Sequence, residues 1–289
     1  MEKNALAPKR KGRTPVVAGL FYPEDRALAE ARLCSYGLLG GIGDNAAAIV
    51  APHGAWDISG AIAGAAFSAA AGRVRRNPSS QRPGKGLSRV LILGSLHEPE
   101  EEGIFLSDSH YFETPLGNLP VDKRLSAELA SCNTLFEIND IPHLREHTIE
   151  VLLPFVKFCF PDTKIIPLLL GNSRPALISA LARALFVVFK NRMEDTLFVV
   201  SANLSKNTDE KAARDQAEEC VRLLEENRAG SVGAALTDGR INPCGGGALA
   251  ALLESGLLAG KTGKLVSGPL INARGEEDKT VYYGGISFE

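Results

Sequence analysis

The sequence of this 289-residue chain predicts an α/β fold of three layers, α/β/α, with helices on both faces of a mostly parallel central sheet. Two observations predict it. Short apolar runs that do not alternate with polar residues recur along the chain, and such runs are typical of strands buried on both faces. Segments with apolar residues at helical spacing separate these runs, and regular alternation of strand and helix favours parallel pairing.

The elements follow from these patterns in chain order. The predicted strands are AAAIVAP (46–52), RVLILGS (89–95), KIIPLLLG (164–171), TLFVVSA (196–202) and TVYYGGISF (280–288). The predicted helices are EDRALAEARLCSYGLL (24–39), DISGAIAGAAFSAAA (57–71), EHTIEVLLPFVKFCF (146–160), RPALISALARALFVVF (174–189), TDEKAARDQAEECVRLLEEN (208–227) and NPCGGGALAALLES (242–255). We expect Pro154 to bend the third helix. The segment RRNPSSQRPGKG (75–86) is interpreted as a surface loop within the domain.

The composition excludes some classes of function. The formal net charge of −2, with 45% hydrophobic residues, argues against nucleic acid and anionic membrane surfaces as partners, which require a strong basic field. Residues 1–13 are expected to be a disordered basic tail and residues 14–289 a single α/β domain. The five cysteines form no CxxC pair, and no apolar stretch approaches a membrane span, so a cytoplasmic protein without a membrane anchor is expected.

Two of the five histidines end apolar runs. His53 follows AAAIVAP and His97 follows RVLILGS, while the run TLFVVSA leads into Asn203, Ser205 and Lys206. Ligands of open parallel sheets bind beyond the carboxyl ends of the strands, where loops from different strands meet. These residues are therefore predicted to converge at one edge of the sheet.

Cys244 is a further candidate for this edge. Asn242 suits a helix N-cap and Pro243 a first helical position, which predicts Cys244 in the first turn of a helix. A cysteine there is favoured as the thiolate, the form that binds metal or attacks a substrate. The wide sequence spacing of His53, His97 and Cys244 is not by itself a metal signature. The other cysteines are expected to be small buried hydrophobes: Cys34, Cys132, Cys159 and Cys220.

A polar cluster lies around the start of the third predicted helix, with Asp140, His143, Glu146 and His147. It has two interpretations, a capping cluster or carboxylates that orient ligating histidines. His110 is expected at the surface, and Phe21 and Trp56 are candidate pocket residues, although aromatic side chains more often belong to the core.

The order of several motifs resembles the Memo-like protein family. They are VAGLFYP, APHGAW, LILGSLH, TPLGNLPVD, EHTIEVLLPF, VVSANLSKN, PCGGG and VYYGGISF, and they cover about residues 14–288. In microbes such proteins resemble protein B of the AmmeMemoRadiSam system, and the family's fold is similar to that of class III extradiol dioxygenases, which are non-haem iron enzymes.

The resemblance implies a metal site and its ligands. His53, His97 and Cys244 would hold one transition-metal ion, with Glu146, His147, Phe21 and Trp56 as supporting or pocket residues. Iron(II) is favoured, and copper or zinc also suits two imidazoles and a thiolate. The implied partners are a small molecule or peptide and, in microbes, other AmmeMemoRadiSam components.

The chain departs from the family pattern at the loop that the family usually writes S-D-L-S-H. Asn203 and Lys206 here replace the acidic residue and the histidine, and these are the two candidate catalytic positions. An unperturbed lysine is protonated at neutral pH and does not accept a proton, although burial beside a metal lowers its pKa. Two other family motifs are also altered. The usual P-S-H is replaced by GSLHEP, and the usual P-H-A-G-Y by PHGAW.

Three hypotheses follow for the function. The first is a metal-dependent redox protein with a dioxygenase-like site. The second is a catalytically silent module that binds a peptide or protein partner or sequesters metal, favoured by the loss of an ionisable pair at Asn203 and Lys206. The third uses Cys244 as a covalent nucleophile with His53 or His97 as its base.

Overall fold

A computed structural model describes residues 11–38, 44–73, 87–97, 102–228, 230–274 and 279–289, with the side chains of 268–274 outside the description. The strands are β1 (Gly12–Arg13), β2 (Ala48–Ala51), β3 (Arg89–Ser95), β4 (Ile104–Leu106), β5 (Tyr111–Phe112), β6 (Leu119–Pro120), β7 (Phe136–Ile138), β8 (Lys164–Leu170), β9 (Thr196–Ser201), β10 (Ser205–Asn207), β11 (Gly263–Arg274) and β12 (Thr280–Phe288). The helices are α1 (Arg26–Ser35), α2 (Trp56–Ala71), α3 (Lys123–Ala130), α4 (Ile141–Arg145), α5 (Leu153–Cys159), α6 (Pro175–Phe189), α7 (Glu210–Glu226), α8 (Ser231–Thr237) and α9 (Gly246–Glu254).

Within the described residues, nine strands form the central sheet, in the order β10-β12-β2-β9-β3-β8-β4-β7, with β11 paired to β12. The central strands β2, β9, β3 and β8 are parallel to one another, and the antiparallel pairs β12–β2 and β4–β8 extend the sheet on either side. The predicted α/β fold with a mostly parallel central sheet is confirmed. Because the central strands are parallel, β2, β3 and β9 end at the same edge.

Helices cover both faces because side chains alternate along each strand. Val50 and Leu91 belong to one apolar core, which also contains residues of α6, α7 and α9. Ile49 and Val90 face the other way, into a core with residues of α1, α2 and α5. Strands buried on both faces read as continuous apolar runs, which is why the sequence showed them clearly.

The segment 146–160 is not the continuous helix that the sequence predicted. Its first residues are non-helical, a short 3₁₀ helix spans Glu150–Leu152, and α5 begins at Leu153 with Pro154 in its first turn. The Glu146 carboxylate accepts hydrogen bonds from the backbone N–H groups of His147 and Thr148. A side chain that binds nearby backbone groups competes with helix formation, and Pro154 starts the helix without bending it.

Two residues of the predicted disordered tail lie in a strand. Gly12–Arg13 form β1, which pairs with β5, and the Arg13 side chain is only 2% exposed. Arg13 makes a buried ion pair with Glu150, so a basic residue of the tail belongs to the interior of the domain. Residues 1–10 and the predicted loop 75–86 lie outside the described residues. Among the residues described, none of the helices combines the length and apolar character needed to cross a membrane.

Candidate metal centre

Three predicted residues meet at the edge where the central parallel strands end. His53 lies just after β2 and His97 just after β3, and Cys244 enters from the turn before α9. The His53 Nε2 atom is 3.0 Å from the Cys244 Sγ atom. The ring centroids of His53 and His97 are 5.4 Å apart. The structure therefore brings together residues that are separated by up to 191 positions in the chain.

Hydrogen bonds define the tautomer of His53. The Ser201 hydroxyl donates its only hydrogen to the Thr148 carbonyl oxygen at 2.6 Å. The Ser201 Oγ atom therefore accepts a hydrogen bond from His53 Nδ1, which lies 2.9 Å away. Nδ1 then carries the proton, and the lone pair of Nε2 points toward Cys244. Burial lowers the pKa of His53 well below its usual value, and the nearby His97 and His147 act in the same direction, so the neutral ring is retained.

Glu146 orients His97. Its carboxylate accepts the backbone N–H of His97 at 2.8 Å, and the Nδ1 atom of the same residue lies 3.1 Å from both carboxylate oxygens. Burial raises the pKa of Glu146, but the hydrogen bonds and positive character of His97 outweigh it and bring the pKa to about 2. A histidine whose Nδ1–H is held by a carboxylate presents Nε2 to a metal, the usual arrangement of a ligating imidazole.

The His147 ring contacts both candidate histidine ligands. Its ring stacks on His97 with centroids 4.9 Å apart, and the edge of Phe21 packs on it at 4.7 Å. Donor atoms of His97, Glu146 and His147 all lie within 4.8 Å of one another. The Glu146 oxygens, however, already accept backbone N–H groups, so this carboxylate is better suited to orient imidazoles than to bind an ion.

Asn203 connects two of the candidate ligands. Its side-chain Oδ1 accepts a hydrogen bond from the His53 backbone N–H, and its own backbone N–H donates to the Cys244 Sγ atom, both at 3.2 Å. Lys206 lies half-buried in β10, opposite Val281. Its charge lies close enough to lower the pKa of Cys244, against a larger opposing effect of burial.

Cys244 is not in the first turn of a helix, contrary to the sequence prediction. The helix α9 begins at Gly246, and the Asn242 side chain donates to the Lys206 carbonyl oxygen instead of capping the helix. A Cβ atom at Gly245 would lie 2.5 Å from the Ser201 carbonyl oxygen, so the glycine allows this turn to press against the end of β9. Burial raises the pKa of Cys244 to about 12, so the thiol is protonated in the absence of a cation.

Several other predicted residues lie elsewhere. Trp56 is 3% exposed in the aromatic core, with its indole N–H donated to the Val151 carbonyl oxygen at 3.0 Å. His143 is buried and contacts the Phe105 carbonyl oxygen, and Asp140 accepts hydrogen bonds from neighbouring serines, so both have structural contacts. His110 is exposed, as expected. Of the other cysteines two are buried, but the expectation is wrong for the exposed pair Cys34 and Cys132.

Comparison with known proteins supports the resemblance. The sequence model described as Memo-like protein matches residues 13–287. The chain belongs to the Memo-like family. A protein named MEMO1 family protein from Thermotoga neapolitana is 30% identical over 256 residues, which cover 84% of this chain and 88% of the relative. Another from Nitrosopumilus maritimus is 27% identical over 290 residues, covering 96% and 99% of the two chains.

The comparison with solved structures found the crystal structure of uncharacterized protein JW3007 from Escherichia coli K12. It has 15% sequence identity and a TM-score of 0.41, and the match covers 70% of this chain and 86% of that one.

Sequence reasoning missed several residues that build the centre of this Memo-like chain. Ser201 ends β9, and the rule that selected His53 and His97 at strand ends would also have selected its hydroxyl. Arg13 and Glu150 had no such signal, because a basic residue near a terminus and a glutamate in an apolar segment are common at surfaces. Arg13 donates to the carbonyl oxygens of His143 and Glu146 and so supports the loop that carries Glu146.

Two of the three pairs in this donor set have separations that suit ligands of one transition-metal ion. When a nitrogen and a sulfur atom bind one ion in tetrahedral or octahedral geometry, the two atoms lie roughly 3.1–3.6 Å apart. The ring centroids of two imidazoles that bind the same ion lie about 5 Å apart. The corresponding separations here are 3.0 Å for His53 Nε2 and Cys244 Sγ and 5.4 Å for the His53 and His97 rings. Two imidazoles and a cysteine sulfur are soft to borderline donors, which suit iron(II), copper or zinc better than magnesium or calcium.

Proposed function

We propose that this Memo-like protein holds one transition-metal ion with His53, His97 and Cys244 and receives a small molecule at the remaining coordination positions. The observation that carries the proposal is the pair of His53 and Cys244. The Nε2 lone pair faces the sulfur at 3.0 Å, and Ser201 holds the ring in that tautomer. A buried thiolate needs a compensating positive charge, and a bound cation supplies it.

Iron(II) is our preferred metal, with copper and zinc as the other two candidates. Bound at this centre, such an ion supplies a Lewis acid and, for iron or copper, a redox centre. The protein residues have separate roles in this proposal. Ser201 and Glu146 orient the two imidazoles, and Asn203 holds both the His53 backbone and the Cys244 sulfur in place. Lys206 stands where an acid–base group would be.

A second candidate function uses the same pair without a metal. A thiol 3.0 Å from an imidazole is the arrangement of a cysteine nucleophile and its base. Burial raises the pKa of Cys244 and lowers the pKa of His53, which opposes the thiolate–imidazolium pair that such enzymes use. The metal centre is therefore the better-supported function.

A third candidate, a silent module that binds a peptide or protein or sequesters metal, is favoured by Asn203. Its amide oxygen is engaged with the His53 backbone and carries no ionisable group. Association with other AmmeMemoRadiSam components belongs to the same proposal. The third candidate can be distinguished from the first by adding an external oxidant. A silent module would bind the metal, but the bound ion would not undergo redox cycling.

Elemental analysis tests the metal centre. Protein purified under reducing conditions without chelator should carry about one transition-metal ion per chain, and His53→Ala, His97→Ala and Cys244→Ser should each lose most of it. The matched controls are His110→Ala and Cys132→Ser, which remove an exposed imidazole and an exposed thiol. Unchanged metal in any two of the three site variants would contradict the proposal. Loss of metal in the controls as well would attribute the ion to surface binding.

A further inference from the structure

The last strand brings a phenol to the metal centre. Strand β12 runs antiparallel to β2 and pairs Phe288 with Ala48, Ser287 with Ile49 and Ile286 with Val50. When this register is continued toward the carboxyl end of β2, Tyr283 comes opposite His53. Tyr283 therefore lies beside one of the three proposed ligands, although it is 230 positions away in sequence.

The end of the Tyr283 side chain packs against the turn that follows His53. A Cβ atom built on Gly54 would lie 3.1 Å from the Tyr283 Cε1 atom and 3.2 Å from its hydroxyl oxygen. Any side chain at position 54 would occupy part of the space that the phenol takes, so the glycine permits this close approach. The hydroxyl group is thereby placed at the His53–Gly54 turn.

The Tyr283 hydroxyl is suited to bind a molecule at the centre. Tyr283 is 5% exposed, so its phenol is held in place by the residues around it. A phenol keeps its proton at neutral pH, so its hydroxyl can donate one hydrogen bond to a molecule beside the His53–Gly54 turn.

We propose that the Tyr283 hydroxyl donates a hydrogen bond to the small molecule at the metal, and that this selects anionic or oxygen-bearing ligands. The inference rests on the proposed function, because it requires a metal held by His53, His97 and Cys244. It assigns a recognition role to a residue outside the ligand set. A phenol donor favours a ligand whose bound atom carries negative charge, since hydrogen bonds to charged groups are stronger than those between neutral groups.

The neighbouring tyrosine provides a matched control. Tyr282 is 4% exposed, and it belongs to the core on the α7 and α9 face, whereas Tyr283 packs with Ile62 of α2 on the opposite face. Consecutive strand residues point to opposite faces, so the two hydroxyls are presented to different surroundings. Tyr282→Phe and Tyr283→Phe each remove one hydroxyl from the same strand, and of the two only the Tyr283 hydroxyl lies at the His53–Gly54 turn.

The experiment uses the full-length chain loaded with cobalt(II), whose visible spectrum reports ligand exchange. Azide, a small anion that binds open metal positions, is titrated into the wild type, Tyr283→Phe and Tyr282→Phe, after elemental analysis of each. We expect about one cobalt ion in all three proteins. We expect the Kd of azide to rise about tenfold in Tyr283→Phe, the effect of one lost hydrogen bond to a charged ligand, and to be unchanged in Tyr282→Phe.

The outcomes separate this inference from the function on which it rests. Equal azide affinity in wild type and Tyr283→Phe, with cobalt bound in both, would refute the role of Tyr283 alone. Loss of cobalt from Tyr283→Phe, but not from Tyr282→Phe, would make the phenol part of the ion-holding set and would also overturn the inference. A wild type that binds no cobalt would overturn both proposals. A thermal melt of each variant confirms that the fold is retained.

Discussion

Replacement of Arg13 by methionine should destabilise the protein more than any surface change of similar size. The guanidinium group is buried and forms an ion pair with Glu150. It also donates to the carbonyl oxygens of His143, at 3.0 and 2.8 Å, and of Glu146, at 3.1 Å. Methionine fills much of the same volume but provides neither the charge nor the donors.

The expected loss follows from what remains after the substitution. The Glu150 carboxylate keeps the N–H groups of Val16 and Val17 and the Tyr22 hydroxyl as partners, but it has no positive charge beside it. Removal of one partner from a buried ion pair costs about 3–5 kcal/mol. The freed carbonyl oxygens add to this. We therefore expect the free energy of unfolding to fall by about 4 kcal/mol.

Lys11→Met is the matched control, two residues away in the same segment. The Lys11 ammonium group is 2.6 Å from Asp140 and its side chain is 58% exposed. The Lys11 charge is screened by solvent, and the buried Asp140 keeps hydrogen bonds from Ser107 and Ser109, so this variant should lose only about 1 kcal/mol. Equilibrium unfolding in urea, with the slope of the free energy against denaturant compared between proteins, gives both values.

The reasoning would be refuted if Arg13→Met lost no more than 1 kcal/mol of stability, or no more than Lys11→Met. A change in the denaturant slope without a change in midpoint would instead place the effect in the unfolded state. Because Arg13 supports the Glu146 loop, the same variant should also bind metal more weakly, which a competition titration measures independently of unfolding.

Three further predictions concern pH, thiol chemistry and the altered family residues. Burial raises the pKa of Asp140, but hydrogen bonds to its carboxylate lower it to about 2 from 3.8, so its stabilising contribution is complete above the ordinary pKa and is lost as the pH falls toward 2. Asp140→Asn should therefore lose less stability than the wild type over this range in acid titrations of urea unfolding. Restoring the family residues with Asn203→Asp and Lys206→His should raise metal affinity in a competition titration, because a cation near the ion is removed and a carboxylate is added. The free energy of unfolding should change by about 0.5 kcal/mol or less. Unchanged affinity would show that Lys206 does not face the metal. Maleimide labelling of folded metal-free protein should be slower at Cys244 than at the exposed Cys34 and Cys132, because Cys244 is less exposed and its pKa is raised. Equal rates at the three cysteines would contradict this difference.

Local patterns in the sequence were sufficient for much of the fold. The strands β2, β3, β8, β9 and β12 appear as apolar runs because burial on both faces removes polar residues from them. Other strands gave no such signal. β4 and β7 have three residues each, too few for a pattern, and β11 has polar residues and a register shift in its pairing with β12. A short or irregular strand is stabilised by its neighbours and not by its own composition.

The residues of the candidate site also differ in how far the sequence predicted them. His53 and His97 were predicted from sequence, because a parallel sheet places the ends of its strands at one edge and both residues follow apolar runs. Cys244 was selected for a first helical turn, but α9 begins two residues later, and Gly245 lets the turn pack closely against the end of β9. Cys244 does lie beside His53, for a different local reason from the one that selected it.

By itself, the sequence determined the fold class, the family motifs and the strand-end histidines, because these depend on periodicity and on residues close together in the chain. Only the tertiary structure decided which atoms face one another. The acceptors of the two Nδ1 atoms are Ser201 and Glu146, and the phenol beside His53 belongs to Tyr283. These contacts join segments about 50 to 230 positions apart. Their geometry depends on how the helices and strands pack, which no local pattern specifies.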